Sequence, residues 1–174
     1  MSCASESSNS KAMAMYKLFR MPELAFIRSE RDNVPFVLAT GCFDILHRGH
    51  VELLIRCREI ADSGARGPGN VAVGLNSDRA VKMLKGESRP IHCYSDRAYV
   101  MAGLEMVDFV FEIDDMRVAE TIRQLRPTIW VKGGDYTIDT LDKGEVAAAD
   151  EVGTSIQFVP AVAGYSTTSI LSKL

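Results

Sequence analysis

The stretch FVLATGCFDILHRGHV, residues 36–51, decides the fold. Its opening run, FVLAT, reads as a buried strand, GCFD as a tight turn, and HRGHVELLIRCREIA as the first turns of a helix. A strand, a glycine turn and a helix start leave backbone N–H groups free to face an anion.

Outward from this stretch the same alternation continues. Short apolar runs recur at NVAVGLN, VDFVFEI, TIWVKG and TSIQFVP, and the segments between them, SDRAVKML, SDRAYVMAGLEM, DMRVAETIRQL and GEVAAADEV, carry helical spacing. Near-continuous apolar strands separated by helices predict an α/β fold: one Rossmann-like domain, a five-stranded parallel sheet with helices on both faces. Before the first strand, MPELAFIRSERDN reads as a short helix with Pro22 in its first turn, where a missing N–H costs little. Ser77 and Ser95 are placed to cap the helices that follow them, and Pro127 closes the helix before TIWVKG. Residues 1–16 read as a disordered leader and residues 17–174 as the domain, without internal repeat or linker.

The chain has 174 residues and a net charge of −3, so overall charge gives no reason to expect nucleic acid or a membrane surface as partner. Any anion must be met by local groups. No apolar run approaches the roughly 18 residues of a spanning helix, and the N-terminus has neither an apolar signal core nor a transit pattern, which predicts a cytoplasmic protein. The four cysteines form no C-x-x-C pair and read as reduced thiols.

In a parallel sheet of this kind, ligands sit outside the carboxyl ends of the strands. The segments at those ends are GCFDILHRGH, NSD, KGGDY and AGYSTTS, each rich in glycine, hydroxyls or charge. His47 and His50 lie three apart and so project to one side of a helix, while Gly49 between them allows a ligand close to the backbone. They read either as a grip on a phosphoryl group or as a capping and packing pair. A zinc site lacks a third ligand at a recognisable spacing. The first strand is not followed by G-x-G-x-x-G, which removes the dinucleotide fingerprint. In KGGDY a lysine is followed by two glycines, an acid and a phenol, groups able to meet a polyhydroxyl ligand. GYSTTSIL sets three neighbouring hydroxyls at a helix start, where capping alone needs one.

These motifs carry a resemblance. GCFDILHRGH resembles the H-x-G-H signature of the nucleotidylyltransferase superfamily. With GLNSD, LKGESRPI, RAYVMAGLEMVDFV, WVKGGDY, GEV and GYSTTSIL in order, the chain is similar from about Pro22 onward to the adenylyltransferase domain that makes ADP-heptose from D-glycero-β-D-manno-heptose 1-phosphate. Two segments depart from that pattern: EVGTSIQ replaces a paired glycine, and residues 139–143 have their own spelling. Many relatives carry a sugar kinase domain ahead of this one, so the 1-phosphate is expected from a separate protein.

The resemblance implies roles residue by residue. His47, His50 and Lys85 would be catalytic. Thr40, Gly41, Cys42, Phe43, Gly49, Lys85, Arg89, Lys132, Gly133, Gly164, Tyr165, Ser166, Thr167 and Thr168 would line the nucleotide. Asn76, Arg97, Gly134, Asp135 and Tyr136 would meet the acceptor, together with Asp44, which either holds acceptor or a metal-bound water or fixes the turn by accepting backbone hydrogen bonds. Lys82, Lys85 and Arg89 read otherwise as a solvated face.

The implied reaction is attack of a sugar 1-phosphate oxygen on the α-phosphorus of ATP, with release of pyrophosphate and with Mg²⁺ on the triphosphate as cofactor. A phosphate monoester, with a second pKa of about 6, is already a dianion near neutrality, so no general base is required and no thiolate is asked of Cys42. Charge neutralisation and in-line positioning are what the protein must supply. Glycerol-3-phosphate cytidylyltransferase and a non-catalytic nucleotide-binding module are the alternatives, and the nucleobase and the heptose anomer stay open. The resemblance also implies a homodimer or larger homo-oligomer.

Overall fold

A computed structural model of the chain describes residues 16–65 and 67–172; the expected leader falls outside them except for Tyr16. Five strands, β1 (Phe36–Gly41), β2 (Asn70–Asn76), β3 (Phe109–Ile113), β4 (Ile129–Gly133) and β5 (Ser155–Val159), form one sheet in the order β3-β2-β1-β4-β5. Every neighbouring pair runs parallel, with Phe36 opposite Asn70 and Val37 opposite Ile129 setting the register around β1. The helices are α1 (Met21–Ser29), α2 (Arg48–Asp62), α3 (Asp78–Lys85), α4 (Tyr94–Ala102), α5 (Ala119–Leu125), α6 (Lys143–Val152) and α7 (Thr167–Leu171). This is the Rossmann-like α/β arrangement that the apolar runs predict.

The two-residue period of the strands sorts the core into two layers. Val37, Val71, Val73, Val110 and Val131 point to one face, where Leu54, Cys57 and Ala61 of α2 and Ala98 and Met101 of α4 cover them. Phe36, Leu38, Ala72, Phe109, Phe111 and Trp130 point to the other, against Leu24 of α1, Ile122 and Leu125 of α5, and Ala148 and Ala149 of α6. At the outer edge, residues 17–19 pair with β3 through Phe19 N–H to Val110 O at 2.9 Å and Val110 N–H to Lys17 O at 2.7 Å, which shields that edge.

Ser77 caps α3 as expected, accepting from Ala80 N–H at 3.1 Å. Ser95 does not cap α4: the helix begins at Tyr94, Cys93 takes the N-cap position, and Ser95 lies inside the first turn. The helix read from DMRVAETIRQL starts later than its spacing suggests, at Ala119, and ends with Arg126 in the left-handed conformation directly before Pro127. The chain winds outward from β1 through β2 to β3, then crosses back to β4 on the other side of β1. Loops that follow β1 and β4 therefore part at the centre of the sheet, which is where open parallel sheets form their ligand crevice.

Candidate active site

A cavity of about 490 Å³ opens at that crevice, within the size range of small-molecule sites. The ends of β1, β2, β4 and β5 and the loop after β3 contribute to its wall. The β1 turn supplies Thr40, Gly41, Cys42, Phe43 and Asp44, then His47, Gly49 and His50 at the start of α2. Asn76 comes from the end of β2, Lys85 from the last turn of α3 and Arg89 from the loop after it, and Lys132, Gly133, Gly134 and Tyr136 from β4 and its loop. Tyr165, Ser166, Thr167 and Thr168 close the far side.

Sterics explain the shape of the β1 turn. Phe43 takes a positive φ of 44°, a strained conformation for a bulky side chain. Its ring packs over Gly41, where an added Cβ would lie 3.2 Å from Phe43 Cε2, and sits 4.9 Å from the His50 ring. His47 occupies the N-cap of α2 in extended conformation, and its carbonyl accepts from His50 N–H at 2.9 Å. The two imidazoles stack, with centroids 3.8 Å apart and planes inclined by 22°. Burial, and to a smaller degree the neighbouring ring, push the His50 pKa down from 6.5 to about 4; burial alone lowers that of His47. Both rings are thus neutral near pH 7 in the free protein, and Nδ1 of each is buried without a hydrogen-bond partner.

Asp44 makes the backbone hydrogen bonds that the second of its two readings describes, although it also lines the cavity. One carboxylate oxygen accepts from Ile91 N–H at 2.8 Å and His92 N–H at 3.1 Å, and the other is paired with Arg89 Nε. Burial alone would raise its pKa, but the two backbone donors and Arg89 together hold it below the ordinary value. Asp44 therefore ties the β1 turn to residues 89–92 and leaves Arg89 at the cavity wall. Arg97 is corrected more strongly: its guanidinium is wholly buried and does not line the cavity. It donates to Cys42 O at 2.6 Å, Asn76 O at 2.8 Å and His92 O at 3.0 Å, and pairs with Asp78 at 2.8 Å. Those bonds lock the ends of β1 and β2 together, a framework function instead of contact with acceptor.

Lys132 lies across the cavity, its ammonium 5.1 Å from the Trp130 ring centroid and 4.6 Å from that of Tyr136. Desolvation lowers its pKa, with Arg117 acting in the same direction and Glu145 against it. Burial raises the Cys42 thiol pKa. Ser166 caps the short α7 by accepting from Ser169 N–H at 3.0 Å, which leaves Thr167 and Thr168 as the remaining hydroxyls of that segment.

Apart from Arg97, two further expected residues, Asp135 and Gly164, fall outside the lining. Sequence reading assigned no site residue to one wall of the cavity, formed by Arg117 and Val118 before α5 and by Asp142 and Glu145 at the start of α6. Its signals were residues 139–143, whose departure from the family pattern bears on the acceptor pocket and which include Asp142, and the short GEV segment, whose acid sits in an otherwise small and apolar stretch. No group of three or more histidine, cysteine, aspartate or glutamate side chains among the described residues is placed to hold a metal ion. Among those residues no helix is long and apolar enough to cross a membrane.

Residues 38–172 match the cytidylyltransferase-like family. The chain belongs to that family. The cavity with the H-x-G-H pair is its candidate active site. Relatives within reach of direct alignment are the bifunctional protein HldE of Campylobacter concisus, 39% identical over 159 residues, and that of Campylobacter fetus subsp. fetus, 40% identical over 158. Each alignment covers 91% of this chain but 31% of the relative, so the chain spans about a third of the length of the curated relatives it matches. Among solved structures, a lipopolysaccharide core biosynthesis protein from Thermoplasma volcanium superposes with a TM-score of 0.58 at 24% identity, covering 75% of this chain and 98% of that one. A pantoate-beta-alanine ligase from Francisella tularensis, complexed with beta-gamma ATP and beta-alanine, gives 0.57 at 13% identity, covering 90% and 72%. These two likenesses speak for the fold.

Proposed function

We propose that this cytidylyltransferase-like protein transfers AMP from MgATP to a sugar 1-phosphate, with D-glycero-D-manno-heptose 1-phosphate as acceptor, giving ADP-heptose and pyrophosphate. The observation that carries the reading is the stacked His47 and His50 pair at the amino end of α2, opening onto a cavity that Lys85 and Lys132 also line. The choice of acceptor rests on KGGDY and GYSTTSIL, which follow the ADP-heptose type, and on the identity to HldE proteins over nine-tenths of the chain.

In the proposed step an oxygen of the sugar phosphate attacks the α-phosphorus of ATP in line with the bridging oxygen to the β-phosphorus; that bond breaks and pyrophosphate leaves. The attacking dianion needs no base. Lys85 and Lys132 supply positive charge, while the α2 amides and the imidazole N–H groups supply oriented donors where charge develops. Mg²⁺ would enter as part of the nucleotide substrate, neutralising charge on the triphosphate. Asp44 and Arg97 hold the turn that aims these groups.

The test is pyrophosphate release in a grid of the four nucleoside triphosphates against heptose 1-phosphate anomers, other sugar 1-phosphates and glycerol 3-phosphate. Strong turnover with ATP and a heptose 1-phosphate is the expected result. Turnover confined to CTP and glycerol 3-phosphate would replace both substrates while keeping the mechanism. Light scattering at micromolar concentration tests the homo-oligomer that the family resemblance implies.

A further inference from the structure

The wall to which sequence reading assigned no site residue contains a carboxyl group set in an unusual way. Glu145, in the first turn of α6, is only 5% exposed, yet it lines the cavity. Its Oε1 accepts from Val118 N–H at 3.0 Å, which fixes the side chain to the loop before α5. Among the described residues Oε2 has no hydrogen-bond donor and no cationic nitrogen within ion-pair distance; Arg117, in the same wall, pairs instead with Asp142 at 3.4 Å. Nor is Oε2 among the side-chain atoms sealed from solvent without a partner, so this oxygen opens onto the cavity. A carboxyl buried to this degree is normally satisfied at both oxygens.

The position within the fold adds a second argument. His47 and His50 come from the element that covers the α2 face of the sheet, whereas Val118 and Glu145 come from the α5 and α6 face. One cavity therefore has a phosphate-attracting wall on one side of the sheet edge and a fixed acceptor atom on the other, with Lys132 between them. Lys132 offsets part of the charge of this acid, and the donors that a sugar phosphate can bring to its free oxygen are its hydroxyls.

We propose that Glu145 is a specificity-determining residue of the transfer, its Oε2 accepting a hydrogen bond from a hydroxyl of the acceptor's carbohydrate portion, which seats the sugar between the amino end of α6 and the loop at Val118. This rests on the reading of the protein as a nucleotidyltransferase acting on a sugar phosphate. It adds a requirement that the phosphate contacts do not impose: the acceptor must carry a hydroxyl at one defined position.

The experiment is steady-state kinetics on wild type and Glu145→Gln, with ATP and with the acceptor and its single-deoxy analogues. Glutamine keeps an oxygen for Val118 N–H and replaces the free acceptor with a donor. The KM for the acceptor should rise roughly tenfold or more while the KM for ATP changes less than about twofold. One deoxy analogue should cost the wild type a similar factor and the variant much less. If Glu145 acts only through its charge, the variant should instead lower both KM values, because one negative charge fewer would face two anions; that result overturns the proposal. A wild type indifferent to every deoxygenation overturns it without use of any variant, which covers a variant that fails to fold. A wild type silent toward all sugar phosphates would overturn the functional reading and the proposal with it.

Discussion

Replacing His50 with glutamine should flatten the acid side of this protein's stability curve. Burial and the adjacent His47 ring lower the His50 pKa from 6.5 to about 4. Between those values the unfolded chain takes up a proton that the folded chain refuses, so stability present above pH 6.5 is lost as the pH falls toward 4. At about 1.4 kcal/mol per unit this amounts to roughly 3 kcal/mol, and to about 2 kcal/mol once the ring's partial exposure is allowed for. Glutamine is polar and planar but does not titrate in this range. The assay is urea unfolding of both proteins between about pH 7 and pH 4. Subtracting variant from wild type cancels the groups common to both, such as Asp44, whose lowered pKa acts at still more acid pH. The difference in unfolding free energy should shrink by about 2 kcal/mol across the window. A difference constant to within about 0.5 kcal/mol would refute the claim that the stacked pair is held neutral.

Lys85→Ala should weaken ATP binding by on the order of tenfold in calorimetry with little change in Tm, since this lysine is exposed at the end of α3; an unchanged Kd would remove it from the site. Asp44→Ala should destabilise the fold by about 3 kcal/mol, because it leaves the half-buried Arg89 charge and two backbone N–H groups without an acceptor, and thermal unfolding should fall by about 6–12 °C. A fall of less than about 2 °C would mean that water replaces those bonds. Gly49→Ala places a Cβ 3.1 Å from His47 Cε1 and 3.2 Å from Nδ1, so the ring must move by a few tenths of an ångström; kcat should drop roughly tenfold with Tm nearly unchanged, and full activity would mean that the placement of His47 is not critical.

Most of the sheet was legible because it is parallel and covered on both faces. Each strand is then a short apolar run, and NVAVGLN coincides with β2 residue for residue. The β1 turn was legible for a different reason: glycine before a bulky aromatic, then two histidines three apart, leaves few conformations. Arg97 was misplaced because a buried framework arginine and a ligand-binding arginine have the same spelling. Only the positions of Cys42 O, Asn76 O and His92 O, far apart in sequence, reveal that its donors are already used. Glu145 was missed for the converse reason. Near the start of a helix an acid is the expected complement to the helix dipole, so its type carries no signal until its burial and its partner at Val118, 27 residues away, are known.

The state of the histidines bears on how the site works. A fully charged pair would attract the triphosphate strongly, yet the same burial that stacks the rings against Phe43 and Gly49 keeps them neutral in the free protein, with each Nδ1 lacking a partner. Leaving such atoms unpaired costs stability that the two apolar layers must offset. What the arrangement gains is rigidity: rings whose orientation is set by packing, and donors that need no rearrangement when charge develops on the transferred group. In the proposed transfer, charge would then come from Lys85 and Lys132, which line the same cavity. On that reading attraction and alignment fall to different residues, so a substitution at a lysine should appear first in nucleotide affinity and one at a histidine first in turnover.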